Sequence, residues 1–186
     1  MRIPYVPTPP PTATSSDAAI VTRIEARRAP RPLELLDLAL LHSFPVADGW
    51  NSFLGAIRTK TSLGDDLREI AICRATFCNK AWYELDFHGP LASKAGVSPA
   101  GLKVVKQDVL EGMDRPEGLD ERQWAVLLYA DELTRSAKIT DETFALVRKI
   151  FNNQEVVEIT ATVSTIIRHL LENILISFIG LRLQLC

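Results

Sequence analysis

Cysteine and histidine are scarce in this chain, with three of each in 186 residues. The cysteines are Cys73, Cys78 and Cys186, an odd set that reads as reduced thiols in a cytoplasmic setting rather than a disulfide framework. Cys73 and Cys78 stand five positions apart, which is neither a CxxC redox pair nor half of a zinc site. No second Cys/His cluster completes such a site, so no metal is expected. An excess of one charge is also lacking: the formal net charge is −2, and no basic run carries interleaved aromatics. That argues against nucleic acid and against anionic lipid as partners. The N-terminus has no apolar signal-peptide core, so a cytoplasmic location is expected. The most apolar stretch, residues 161–181, carries Arg168, His169 and Glu172 near its middle, each costly in hydrocarbon. A buried core or interface helix is expected there rather than a membrane span.

What is present is helical signal. Hydrophobic residues make up 47%, enough for a globular core in one domain. Residues 1–17 are rich in Pro, Thr and Ser and read as an arm, whose Tyr5 and Val6 suit docking into a neighbour's groove. The domain proper is expected over residues 18–186. A short helix over 18–28 would take Asp17 as N-cap, and Pro30 and Pro32 would end it. Leucine-dense residues 33–43 lead to a break at Phe44-Pro45. Residues 46–60 then place Trp50, Phe53, Leu54 and Ile57 at helical spacing. Asp65 and Asp66 favour a helix start, and that helix is expected to reach Cys78. Asn79 is the expected N-cap of a helix over 80–95, which Gly96 stops. Ser98-Pro99 opens a helix to about 111, Asp120 opens one to 137, and Thr140-Asp141-Glu142 caps one to 151. A last helix is expected from about 154 to 181. No strand alternation interrupts this series, so the class is all-α, an irregular helical bundle.

One constellation suggests chemistry. On a helix, Glu84 and His88 are four apart and share a face. A carboxylate beside an imidazole fixes the ring's tautomer, and the two form an acid/base unit near neutral pH. The same spacing is also common in surface ion pairs. Tyr83 and Phe87 share a face and read as core, while Trp82 either lines a pocket or packs. Arg58 or Arg68 suits a bidentate grip on a substrate carboxylate, or a structural ion pair with a nearby acid. His42 and His169 stand alone and read as core or surface residues.

The pattern Arg68-Glu69, Tyr83-Glu84, His88, Pro90-Leu91-Ala92 and Ala95-Gly96-Val97-Ser98 resembles the carboxymuconolactone decarboxylase family of the AhpD-like superfamily. Leu41-His42-Ser43, Gly49-Trp50, residues 53–58 and residues 155–163 are similar to its longer fungal members, so the resemblance spans most of 34–165. It implies an AhpD-like helical fold that assembles into homo-oligomers, a dimer or a trimer of dimers. It places Glu69 with Glu84 and His88 in one acid/base set. In the thiol-peroxidase branch of the superfamily, a CxxC precedes this histidine. Its two cysteine positions fall here on Ala81 and Glu84, so that disulfide chemistry is excluded. The decarboxylase branch needs no metal and no organic cofactor. It implies a lyase acting on a small organic acid or lactone, in aromatic or polyketide metabolism. Loss of carbon dioxide leaves a delocalised carbanion for His88 to protonate. Isomerisation and dehydration are related proton-transfer alternatives; a residual thiol antioxidant and a non-catalytic oligomeric binding protein are further ones. The chain departs from the family pattern at Leu85-Asp86-Phe87 and at Ile166-Ile167, changes expected to make the pocket more apolar.

Overall fold

The computed structural model describes residues 3–168, without the side chains of Tyr83, Ile167 and Arg168. Among the described residues there are nine α-helices and no strand, so the chain is all-α. They fall into two compact units, one reaching to Lys60 and one spanning Thr61–Arg168.

The first unit holds α1 (Ser15–Arg28), α2 (Leu35–Leu40) and α3 (Phe44–Thr59). Helix α1 starts three residues before the sequence reading placed it. Thr14, not Asp17, is the N-cap, and Asp17 is the third-position partner of a reciprocal capping box. The boundary expected at residue 17 therefore falls inside α1. Pro45 lies in the first turn of α3, where its missing N–H costs nothing, so it opens that helix, while the one before has already stopped at Leu40. Ile20, Val21, Ile24, Leu41 and Ala47 form the unit's core. The segment before α1 lies on this unit: the Val6 amide bonds the Leu38 carbonyl at 3.4 Å, and the His42 ring Nε2 lies 2.7 Å from the Pro4 carbonyl oxygen. Buried Arg28 is held by Asp37 at 2.7 Å and by Glu34 at 2.8 Å.

The second unit is organised around α4 (Asp65–Cys78). It packs against α5 (Trp82–Lys94), α6 (Pro99–Val105), α7 (Glu121–Ser136) and α9 (Asn153–Arg168), while α8 (Asp141–Ile150) leans on α7. Every residue of α4 from Glu69 to Thr76 is buried, as expected of a helix surrounded on all sides. Two acids in its first turn complement the exposed amides. At the other end the sequence reading is corrected. Asn79 caps the C-terminus of α4 instead of opening α5, and Lys80 turns the chain with φ +56°. Helix α5 then begins at Trp82. Gly96 takes φ +101°, the left-handed conformation that ends a helix. The Ser98 hydroxyl caps α6, which stops at Val105, well short of the expected 111. Asp120 and Thr140 cap α7 and α8 as expected.

The stretch expected as a helix over 161–181 continues α9 to Arg168, with Val163 and Ile166 buried, and the remainder lies outside the described residues. Among the described residues no helix is long and apolar enough to cross a membrane.

Candidate functional site

Helices α4 and α5 are consecutive and antiparallel, joined by three residues, so positions far apart in sequence meet across their contact. Glu69 on α4 and His88 on α5 meet in this way. The His88 ring Nδ1 lies 2.7 Å from Glu69 Oε2, and both residues are buried. Glu84, one turn before His88 on the same face, brings Oε2 to 3.6 Å from the other ring nitrogen, Nε2. The three acid/base candidates thus converge on one imidazole, one carboxylate on each side.

The two ring nitrogens are not equivalent. An ionised carboxylate only accepts, so the Nδ1–H donates to Glu69 and the ring orientation is fixed. Nε2 is buried and has no hydrogen-bond partner among the described residues. At 3.6 Å the Glu84 oxygen is too far for a hydrogen bond yet near enough for electrostatic contact. Nε2 is therefore the nitrogen with unspent capacity to take or give a proton. Phe87 sets its ring edge against His88, with centroids 5.2 Å apart and planes at 78°. Phe87 and Leu91 remain partly exposed beside Glu84 on the helix face that carries His88.

The surrounding candidates divide. Arg68 lies beside the site with Nε 3.9 Å from Glu69 Oε1, and donates to Asp65 at 2.7 Å. Its guanidinium is thus paired with acids of its own helix. Trp82 is 46% exposed and meets Phe77 edge-on, away from the imidazole. Tyr83 belongs to α5, and its side chain lies outside the described residues. Arg58 belongs to α3 of the first unit, whereas the Glu69–His88–Glu84 group is built from the second unit alone. Of the departures expected to make the pocket more apolar, Leu85 and Ile166 pack into the core, Asp86 is exposed and Phe87 touches the site, while the side chain of Ile167 lies outside the described residues. Lone His42 is taken up by the Pro4 carbonyl, and His169 lies outside the described residues.

An open groove of about 570 Å³ lies on the opposite face of α5, lined by Leu85, Asp86, Gly89, Pro90, Ser93, Leu102 and Lys106. None of the three acid/base residues reaches it. The imidazole is enclosed by its own neighbours instead, and a reactant gains Nε2 only when the side chains over it move.

The two described thiols are poorly suited to chemistry. Burial pushes the Cys73 thiol up to about 12, with the nearby Glu69 charge adding to it. Burial likewise pushes the Cys78 thiol up to about 11, and its sulfur lies 3.3 Å from Asp131 Oδ1. Neither is activated as a thiol antioxidant requires.

Sequence reasoning missed the second polar cluster of this unit. Arg74 is fully buried, with its guanidinium on Asp131 at 2.6 Å and on the carbonyls of Val105 and Gln107 at 2.8 and 2.6 Å. Arg135 adds a further bond to the same Asp131 oxygen at 2.7 Å. The signal was a lone arginine inside Ile70-Ala71-Ile72-Cys73-Arg74-Ala75; Asp131, at the end of Leu127-Leu128-Tyr129-Ala130 and followed by Glu132, gave none of its own. A charge buried on an apolar helix face has to find an opposite one.

Comparison with family models, with curated proteins and with solved structures finds no match to the chain.

Proposed function

We propose that this chain is a cofactor-independent acid/base enzyme acting on a small organic acid or lactone, with His88 as its proton carrier. The observation that supports this most is the asymmetry of the imidazole. Glu69 holds Nδ1 at 2.7 Å, while Nε2, buried and without a hydrogen-bond partner among the described residues, faces Glu84 at 3.6 Å. A carboxylate behind an imidazole sets the tautomer and leaves the far nitrogen to exchange protons. The first form of this reading is the decarboxylase-like lyase of the sequence resemblance. Carbon dioxide leaves an unsaturated lactone acid, and the delocalised carbanion is protonated from Nε2. Assembly into a homo-oligomer belongs to the same reading, and sedimentation at micromolar concentration tests it.

The test is carbon dioxide release from carboxylated, unsaturated γ-lactones, followed as bicarbonate by carbon NMR. Wild type should release it, Glu69→Gln should be slower, and His88→Asn should fall by roughly 10² to 10⁴-fold, the range of a positioned acid or base. Equal rates in His88→Asn and wild type would overturn the assignment.

The enclosure of Nε2 favours a second reading, in which Glu69–His88 is a structural tie between α4 and α5 in a non-catalytic protein. That reading expects His88→Asn to lower the melting temperature with no turnover to lose.

A further inference from the structure

Resting on the acid/base reading, we infer a further activity of the same site: a 1,3-proton shift in β,γ-unsaturated lactones, with Glu84 as second proton carrier. The one structural role open to Glu84 is that of an acid in the first turn of α5, beside the exposed amides. Its carboxylate has no hydrogen bond among the described residues, its one close approach being the 3.6 Å to His88 Nε2, and its side chain is the most exposed of the three, at 20%. Glu69, in contrast, is only 9% exposed and already engaged with Nδ1 at 2.7 Å, so it is a positioning residue. The two groups differ in what they leave free. His88 presents one nitrogen with no hydrogen-bond partner, and Glu84 presents a carboxylate beside it.

That spacing suits a hand-over. A gap of 3.6 Å closes to hydrogen-bond length with a small side-chain rotation, and Glu84 sits on the same face of α5 as His88, so both groups address one side of a reactant once the side chains over the buried Nε2 have moved aside. Phe87 and Leu91 flank them on that face and offer apolar surface to the body of a lactone ring. The steps balance with one proton and no co-reactant. Neutral His88 takes a proton from the carbon between the carbonyl and the double bond. That C–H bond breaks, and its electron pair spreads over the carbonyl and the alkene as a dienolate. The imidazolium passes the proton to the Glu84 carboxylate. Glu84 delivers it to the far carbon of the allylic unit, where a C–H bond forms as the double bond moves into conjugation. Both side chains end as they began.

The probe is α-angelica lactone, a β,γ-unsaturated γ-lactone, incubated with the full chain in deuterated buffer and followed by proton NMR. Two signals are read at once: deuterium exchange at the acidified carbon, and appearance of the conjugated isomer. Wild type should show both above the buffer rate. Glu84→Gln should keep exchange and lose conversion by roughly 10²-fold or more, and Glu84→Asp should recover part of it. Exchange without conversion in wild type would overturn the hand-over and leave His88 as an acid/base group. Neither signal in folded wild type would overturn the acid/base reading together with it. Conversion at the wild-type rate in both Glu84→Gln and Glu84→Ala would remove Glu84 from the path.

Discussion

Replacing Asp131 tests how the second unit tolerates its buried cation. Arg74 is fully buried, and Asp131 Oδ1 takes bonds from its Nε at 2.9 Å and its Nη2 at 2.6 Å. In Asp131→Ala the guanidinium keeps as hydrogen-bond partners only the Val105 and Gln107 carbonyls, so a charge is left in the core with half its hydrogen bonds. Breaking a buried pair from one side costs about 3–5 kcal/mol. Asp131 is 15% exposed, so water reaching the gap places the expected loss near the lower end, about 3 kcal/mol. For a chain of this size that is roughly 6–12 °C in melting temperature. The loss should depend on pH. Burial alone would raise the Asp131 carboxyl, but hydrogen bonds from Arg135 and Arg74 outweigh it and hold the group below its ordinary 3.8. A depressed folded value means that the stabilisation is complete at neutral pH and is lost as pH falls below the ordinary value and through the folded one. Urea denaturation of wild type and Asp131→Asn at pH 7 and in steps below pH 4 should show their difference shrinking with acid. A gap that stays constant to pH 2.5, or a loss under about 1 kcal/mol in Asp131→Ala, would refute the reasoning, since even an exposed pair can account for that much. The double variant Arg74→Met, Asp131→Leu should recover part of the loss, because it removes both buried charges and leaves two carbonyls without donors and the half-exposed Arg135 without its Asp131 acceptor.

His88→Ala should cost about 1–3 kcal/mol in urea midpoint stability, because it strands a buried Glu69 carboxylate, whereas Glu69→Gln keeps an acceptor for Nδ1 and should cost less. In a Cys186→Ser background, Cys78 should react with iodoacetamide at pH 8 on the order of 100-fold slower than a thiol of ordinary value 9.0, since its own is pushed up to about 11. Mass spectrometry of the native protein reads this, and labelling at the rate of the unfolded chain would contradict it. Thr140→Ala should lower stability by about 1 kcal/mol by removing the cap on the Thr143 amide, a change visible as a shifted thermal midpoint with unchanged helix content.

Much of the helix order was legible because its punctuation is local. Asp120, Thr140 and Ser98-Pro99 each satisfy amides within three residues, so the cap can be read from the string. The α4–α5 junction was misread because Asn serves either end of a helix, and what decides here is Lys80 in the left-handed region, held by the Lys80 amide on the Phe77 carbonyl and the Ala81 amide on the Thr76 carbonyl. Glu84 and His88 could be paired from helical periodicity alone, while Glu69 required knowing that α4 and α5 lie against each other; the family resemblance supplied that placement, and the 2.7 Å contact is a fact of the fold. The enclosure of Nε2 was not legible, since an exposed and a buried imidazole have the same neighbours in sequence. Arg74 and Asp131, 57 positions apart, left only the trace of one charge, Arg74, where an apolar residue was expected.

The short α4–α5 connection has a consequence for the order of events in folding. Glu69 and His88 are separated by only 19 positions, and a three-residue link returns α5 along α4, so the acid/base group belongs to a single helical hairpin. Contacts of small sequence separation carry little loop-closure cost and tend to form early. The ties of Arg74 reach 31, 33 and 57 positions along the chain and close only when α6 and α7 have arrived. The imidazole therefore needs only the α4–α5 hairpin to meet its carboxylate, whereas the Arg74 cluster needs α6 and α7 as well. Substitutions in α7 or α8 should then speed unfolding and leave the rate of hairpin assembly nearly unchanged.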